Sequence, residues 1–106
     1  MLTFAKARAI AEAWVSAVTD GTAELVREPT VAKPYGWVFF YQSTQFVRDP
    51  SNFSAQLVGN GPILIDRING EVRVFGTSHA LAKQLSEYER TLPQARMLGR
   101  SEEPKW

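Results

Sequence analysis

The sequence predicts an α+β fold: a small antiparallel sheet of about four strands, with an N-terminal and a C-terminal helix packed on one face of it. Three observations carry this. Apolar residues recur at helical spacing near both ends of the chain, alternating and aromatic runs fill the middle, and Asn69-Gly70 joins two of those runs as a hairpin would. With 106 residues, 44% hydrophobic and 22% charged, the chain is expected to form one domain able to sustain a core without covalent staples.

Taken in order, Thr3 is placed to cap a first helix. Phe4, Ala7, Ile10, Ala11, Trp14, Val15 and Val18 then fall on one face, with Lys6, Glu12 and Ser16 opposite. Asp20-Gly21 ends it. Thr22 to Arg27 reads as a first, edge strand, guarded by Glu24 and Glu28 and stopped by Pro29. After the turn at Pro34-Tyr35-Gly36, the run Trp37-Val38-Phe39-Phe40-Tyr41 reads as a central strand. Trp37, Phe39 and Tyr41 share one face, and Val38 and Phe40 share the other. With both helices on one face, the other is left for a loop or a partner to cover. Ser43 to Ala55 is a polar loop in which Phe46, Val47 and Phe53 either pin the segment down or stand out as a contact patch.

The second hairpin runs from Ile63-Leu64-Ile65-Asp66 through Asn69-Gly70 to Val72-Arg73-Val74-Phe75. Asn-Gly favours a type I′ turn, in which both central residues take positive φ. Thr77 or Ser78 then caps a second helix, whose apolar face is Leu81, Leu85, Tyr88 and Leu92 and which Pro93 ends. Residues 1–92 are expected to be the domain and 93–106 a flexible tail, its terminal Trp106 without an assigned place.

Several chemistries find no support. There is no cysteine and one histidine, so a thiol nucleophile, a disulfide framework and a transition-metal site are not expected. His79 with Ser78 and Asp66 would make a triad only by accident of spacing. Gly59-Asn60-Gly61-Pro62 precedes a strand rather than a helix, which argues against a phosphate loop. A net charge of +1 with interspersed signs disfavours a nucleic-acid binder. The aromatic strand lacks the basic flank and the preceding strand–helix order of an RNA-recognition motif. No stretch reaches the roughly 20 apolar residues of a membrane span, and the N-terminal segment is broken by Lys6, Arg8 and Glu12, so a cytoplasmic protein is expected.

Three segments together resemble one family. Gly36-Trp37-Val38-Phe39-Phe40-Tyr41, the stretch Leu57-Val58-Gly59-Asn60-Gly61-Pro62-Ile63-Leu64-Ile65-Asp66, and the return from Gly70 to Gly76-Thr77 are similar to the immunity protein 35, or YrhB-type, family. The opening helix and the closing helix with Tyr88-Glu89 fit as well, so the resemblance spans about residues 3 to 90 and leaves out the tail. It implies a small bacterial α+β protein serving as an antitoxin in a polymorphic toxin system: it binds a cognate toxin domain, has no catalysis, cofactor or metal of its own, and carries no catalytic motif to transfer. A different class of reading is a chaperone-like or regulatory protein that binds several clients through an apolar patch. For a protein partner the expected anchors are Tyr35, Tyr41, Phe46, Arg48 and Phe53, all in or beside loops, because aromatic and arginine side chains dominate interface energetics.

Overall fold

A computed structural model describes all residues from Met1 to Trp106. Its elements are α1 (Phe4–Val18), β1 (Ala23–Lys33), β2 (Gly36–Ser43), α2 (Thr44–Arg48), β3 (Ile63–Asp66), β4 (Val72–Val74) and α3 (Leu81–Glu89), with 3-10 turns at Phe53–Ala55 and Gln94–Met97. The four strands form one antiparallel sheet in the order β1-β2-β3-β4. The α+β class and the strand count are those the sequence predicts. No helix is long and apolar enough to cross a membrane.

The helices lie on opposite faces of the sheet, which corrects the single-face arrangement. Phe4, Ala7, Ala11 and Val15 of α1 pack on Trp37, Phe39, Ile63 and Ile65. Leu85 of α3, with Leu81, Tyr88 and Leu92 beside it, packs with Tyr35, Val38, Leu64 and Phe75. The reason lies in the central strands, where neighbouring residues point to opposite sides and both sets are apolar. Trp37, Val38 and Phe39, like Ile63, Leu64 and Ile65, are all buried, and each face needs its own cover.

β1 is longer than expected. Pro29 does not end it but sits where the register slips: Val26 faces Phe40 and Val31 faces Val38, five steps along β1 against two along β2. A bulge on an edge strand tolerates a residue without an N–H. The odd excess reverses the in–out alternation, so that Ala32, rather than Val31, joins Leu25 over α1.

The β3–β4 turn also differs from the type I′ expectation. Gly70 has φ 72°, but Asn69 is not among the residues with positive φ. Asp66 and Glu71 close a four-residue loop, and the Asp66 carboxylate accepts the Ile68 N–H at 2.7 Å and the Asn69 N–H at 3.2 Å. That side chain winds the loop and so displaces the tighter turn. Before α3, the expected caps Thr77 and Ser78 are not used. The helix starts at Leu81, and Gln84 reaches back to the Gly76 backbone and the His79 carbonyl.

Residues 93–106, expected as a flexible tail, are docked against both faces. Met97 packs with the α3-side core and Trp106 with the α1-side core. Between them, Arg96 pairs with Asp66 at 2.8 Å and Arg67 donates to the Arg100 carbonyl at 2.7 Å. Glu102 then accepts the Phe4 N–H at 2.6 Å through its carboxylate and the Trp37 indole N–H at 2.8 Å through its carbonyl. The carboxylate thus sits on the first amide of α1, where the helix dipole favours negative charge. Trp106 meets the Phe4 and Phe39 rings edge-on, with the Arg8 and Arg27 guanidinium groups 4.8 and 5.5 Å from its ring.

Candidate partner-binding surface

The segment from Thr44 to Pro62 leaves the end of β2 and returns to β3 as an arm with two feet. Gln42 makes the first. Its Oε1 accepts the Leu57 N–H at 2.6 Å and the Ser43 N–H at 2.8 Å, and its Nε2 donates to the Leu57 carbonyl at 3.3 Å. Asn60 makes the second by donating to the Tyr41 carbonyl at 2.9 Å. The Ser43 hydroxyl caps α2, and Asp49 turns the chain by accepting the Ser51 N–H and hydroxyl. At the return, a Cβ on Gly61 would lie 1.6 Å from the Phe75 carbonyl oxygen, so only glycine fits there.

Held by these bonds, the arm exposes several apolar side chains. Phe53 is 76% exposed, Val58 87% and Val47 41%. Phe46 is half-buried and Arg48 exposed. Of the expected anchors, Phe46, Arg48 and Phe53 therefore share the arm. Tyr35 does not join them. It is fully buried, and its hydroxyl donates to Glu89 at 2.7 Å, so it has no surface to offer a partner. Burial and then the Glu89 carboxylate push its hydroxyl far above the ordinary phenol range, which keeps it a donor. Tyr41 is half-buried, edge-on to Trp14 with ring centroids 6.0 Å apart. Val58 is the arm residue that sequence reasoning passed over, because a lone valine near a glycine pair reads equally as the start of a strand. Asp66, the acid of the accidental triad, is engaged by Arg96. Burial pushes its carboxyl up, but the Arg96 guanidinium and the Ile68 and Asn69 amides outweigh this and hold it below the ordinary value.

The profile of the immunity protein 35 family matches residues 5–91, which takes in the whole sheet, the arm and all of the buried core residues but Phe4. The chain belongs to the immunity protein 35 family. Beyond the family profile, the uncharacterized protein YrhB of Escherichia coli (strain K12) is 35% identical over 54 residues, 51% of this chain and 56% of its own length. The aligned stretch thus spans little more than half of that relative. No solved structure matches the chain. For an immunity protein of this family, the match ends before Leu92, so the docked tail lies outside the family domain. Membership points to a protein partner, and the arm, held by both feet, carries three of the molecule's exposed large apolar side chains.

Proposed function

We propose that this chain is an antitoxin: it binds a cognate protein toxin domain and neutralises it by occupying the toxin's surface, with no catalysis of its own. Family membership supports a protein partner, and the observation that carries the reading to a surface is the outward rim of Val47, Phe53 and Val58 on a hydrogen-bonded arm. An aromatic on a surface already held in shape loses little conformational freedom on binding, which is how a few residues come to dominate an interface. Phe46, Arg48 and Phe53 are the contacts assigned to the toxin.

Capture of the tagged full chain from its source cells, followed by mass spectrometry, identifies the partner. The expected result is one stoichiometric protein, a toxin domain whose expression arrests growth and whose arrest this chain relieves on co-expression. A set of unrelated proteins at low occupancy would instead indicate a chaperone-like role. A toxin domain that binds but remains active would refute neutralisation.

A further inference from the structure

The sheet has two edges, and they are built differently. β1 carries Pro29 in its bulge, with Glu24, Arg27 and Glu28 around it, and all four are exposed. A missing donor, a local twist and charges are the usual means of keeping another strand away. β4 has neither a missing donor nor a bulge; it is short and its one charge is Arg73. In its ladder with β3, the Asp66 N–H donates to the Glu71 carbonyl and the Phe75 N–H to the Pro62 carbonyl, both at 2.9 Å. With Ile63 opposite Val74 and Ile65 opposite Val72, antiparallel alternation turns the backbone of Glu71, Arg73 and Phe75 toward β3 and that of Val72 and Val74 outward. The next outward backbone, at Gly76, is taken: the Gln84 side chain accepts its N–H at 3.0 Å and donates to its carbonyl at 2.9 Å. The open edge is therefore the N–H and C=O groups of Val72 and Val74. Beside it, the Val74 side chain is 57% exposed, and the Arg73 guanidinium lies 4.7 Å from the Tyr88 ring with no ion-pair partner.

A second copy of this chain does not suit that edge. Antiparallel pairing through Val72 and Val74 sets Arg73 against Arg73 at a non-hydrogen-bonded position, where facing side chains come closest and like charges repel. Sliding the pair toward the turn brings Arg73 opposite Glu71 but runs the strand into Gly70, whose φ of 72° leaves the extended conformation. Sliding it the other way sets Val72 against Gly76, whose backbone Gln84 already holds. Arg73 thus discriminates: it repels its own copy and accepts a strand that brings a carboxylate.

Building on the antitoxin reading, we propose that the β4 edge takes up an extended segment of the toxin as a fifth strand, apolar opposite Val72 and Val74 and acidic opposite Arg73. Main-chain bonds to a free edge give affinity, and the alternate side chains give the choice of sequence.

A strand of that chemistry is available as the full chain carrying Arg73→Asp. Amide exchange at Val72 and Val74 is followed by NMR in the wild type, in the variant, and in an equimolar mixture at high concentration. Each chain alone is expected to leave both amides open. The mixture, with the introduced carboxylate opposite Arg73, is expected to slow both by about tenfold or more. Unchanged exchange in the mixture overturns the proposal. Should Arg73→Asp fail to fold, Arg73→Thr removes the like charge with a strand-favouring residue and is expected to protect the same amides by self-pairing; open amides there count against the proposal equally. In the toxin complex, slowed exchange at Val72 and Val74 supports it. A complex that neutralises the toxin while both amides exchange as in the free chain overturns strand addition and leaves the antitoxin reading standing. Failure to neutralise, with the mixture protected, removes the antitoxin reading and keeps the edge competent.

Discussion

Asp66 does more than its place at the end of β3 suggests. One carboxylate oxygen winds the β3–β4 loop through the Ile68 and Asn69 amides, and the other holds Arg96 of the tail. Its pKa lies below the ordinary 3.8 in the folded chain, so the unfolded chain takes up a proton here first as the pH falls. The stability this group contributes is fully present above the unfolded value and disappears as pH drops through the lower folded value. Urea unfolding of wild type and Asp66→Asn from neutral pH to strong acid is expected to show the variant less stable at pH 7, with a shallower acid limb. A second single-residue test is Gly61→Ala. The 1.6 Å approach to the Phe75 carbonyl leaves no room for a methyl group, so this substitution is expected to lower the unfolding free energy read from urea by more than the roughly 0.5 kcal/mol of a typical surface change. Both residues stand out in the sequence, Gly61 in the Gly-Asn-Gly-Pro stretch before a strand and Asp66 at the end of that strand. Their partners do not, since Arg96 and Phe75 are 30 and 14 positions away and nothing in local spacing marks such contacts.

Among the elements, the helices were the most legible. The faces of α1 and α3 follow from periodicity alone, and the residues assigned to them are those that pack, apart from Val18, which is 53% exposed where α1 ends. β1 is only half legible, because Pro29 signals a strand end unless a bulge on an edge strand accommodates it. The tail looks free in the sequence because its apolar anchors are sparse, yet Trp106 alone meets two aromatic rings and two guanidinium groups. Trp106→Ala is expected to cost roughly 2 kcal/mol, less than a fully buried tryptophan because the ring is half-exposed. Chemical denaturation checks this, and an unchanged midpoint would show that the Trp106 ring adds nothing to stability.

For the molecule as a whole, what remains outside the two cores is what a partner can meet. The arm is tied to β2 through Leu57 and Asn60 while Val47, Phe53 and Val58 face solvent, so removing exposed side chains from it is expected to separate binding from folding. Arg48→Ala combined with Phe53→Ala is expected to weaken affinity for the proposed toxin partner by about 2 kcal/mol, roughly thirtyfold. The melting temperature is expected to stay put, because Arg48 is exposed and Phe53 is 76% exposed. Calorimetric titration against the toxin domain and a thermal scan measure the two effects separately. The aromatic composition of the arm was visible in the sequence, but the exclusion of Tyr35 was not: a tyrosine beside a glycine in a turn looks exposed until the chain closes over it.

The sequence by itself determined the kind and order of the main elements of this protein. Helical and alternating periodicities, proline and glycine placement and the both-face apolar character of the central strands each act over a few residues, and they specify four antiparallel strands between two helices. Only the tertiary structure decided which face each helix takes, that the tail straps the two cores together, that Tyr35 is interior and that Val72 and Val74 border an open edge. Those outcomes depend on contacts between residues far apart in the chain, where the free energy comes from burying one surface against another and leaves no local pattern to read.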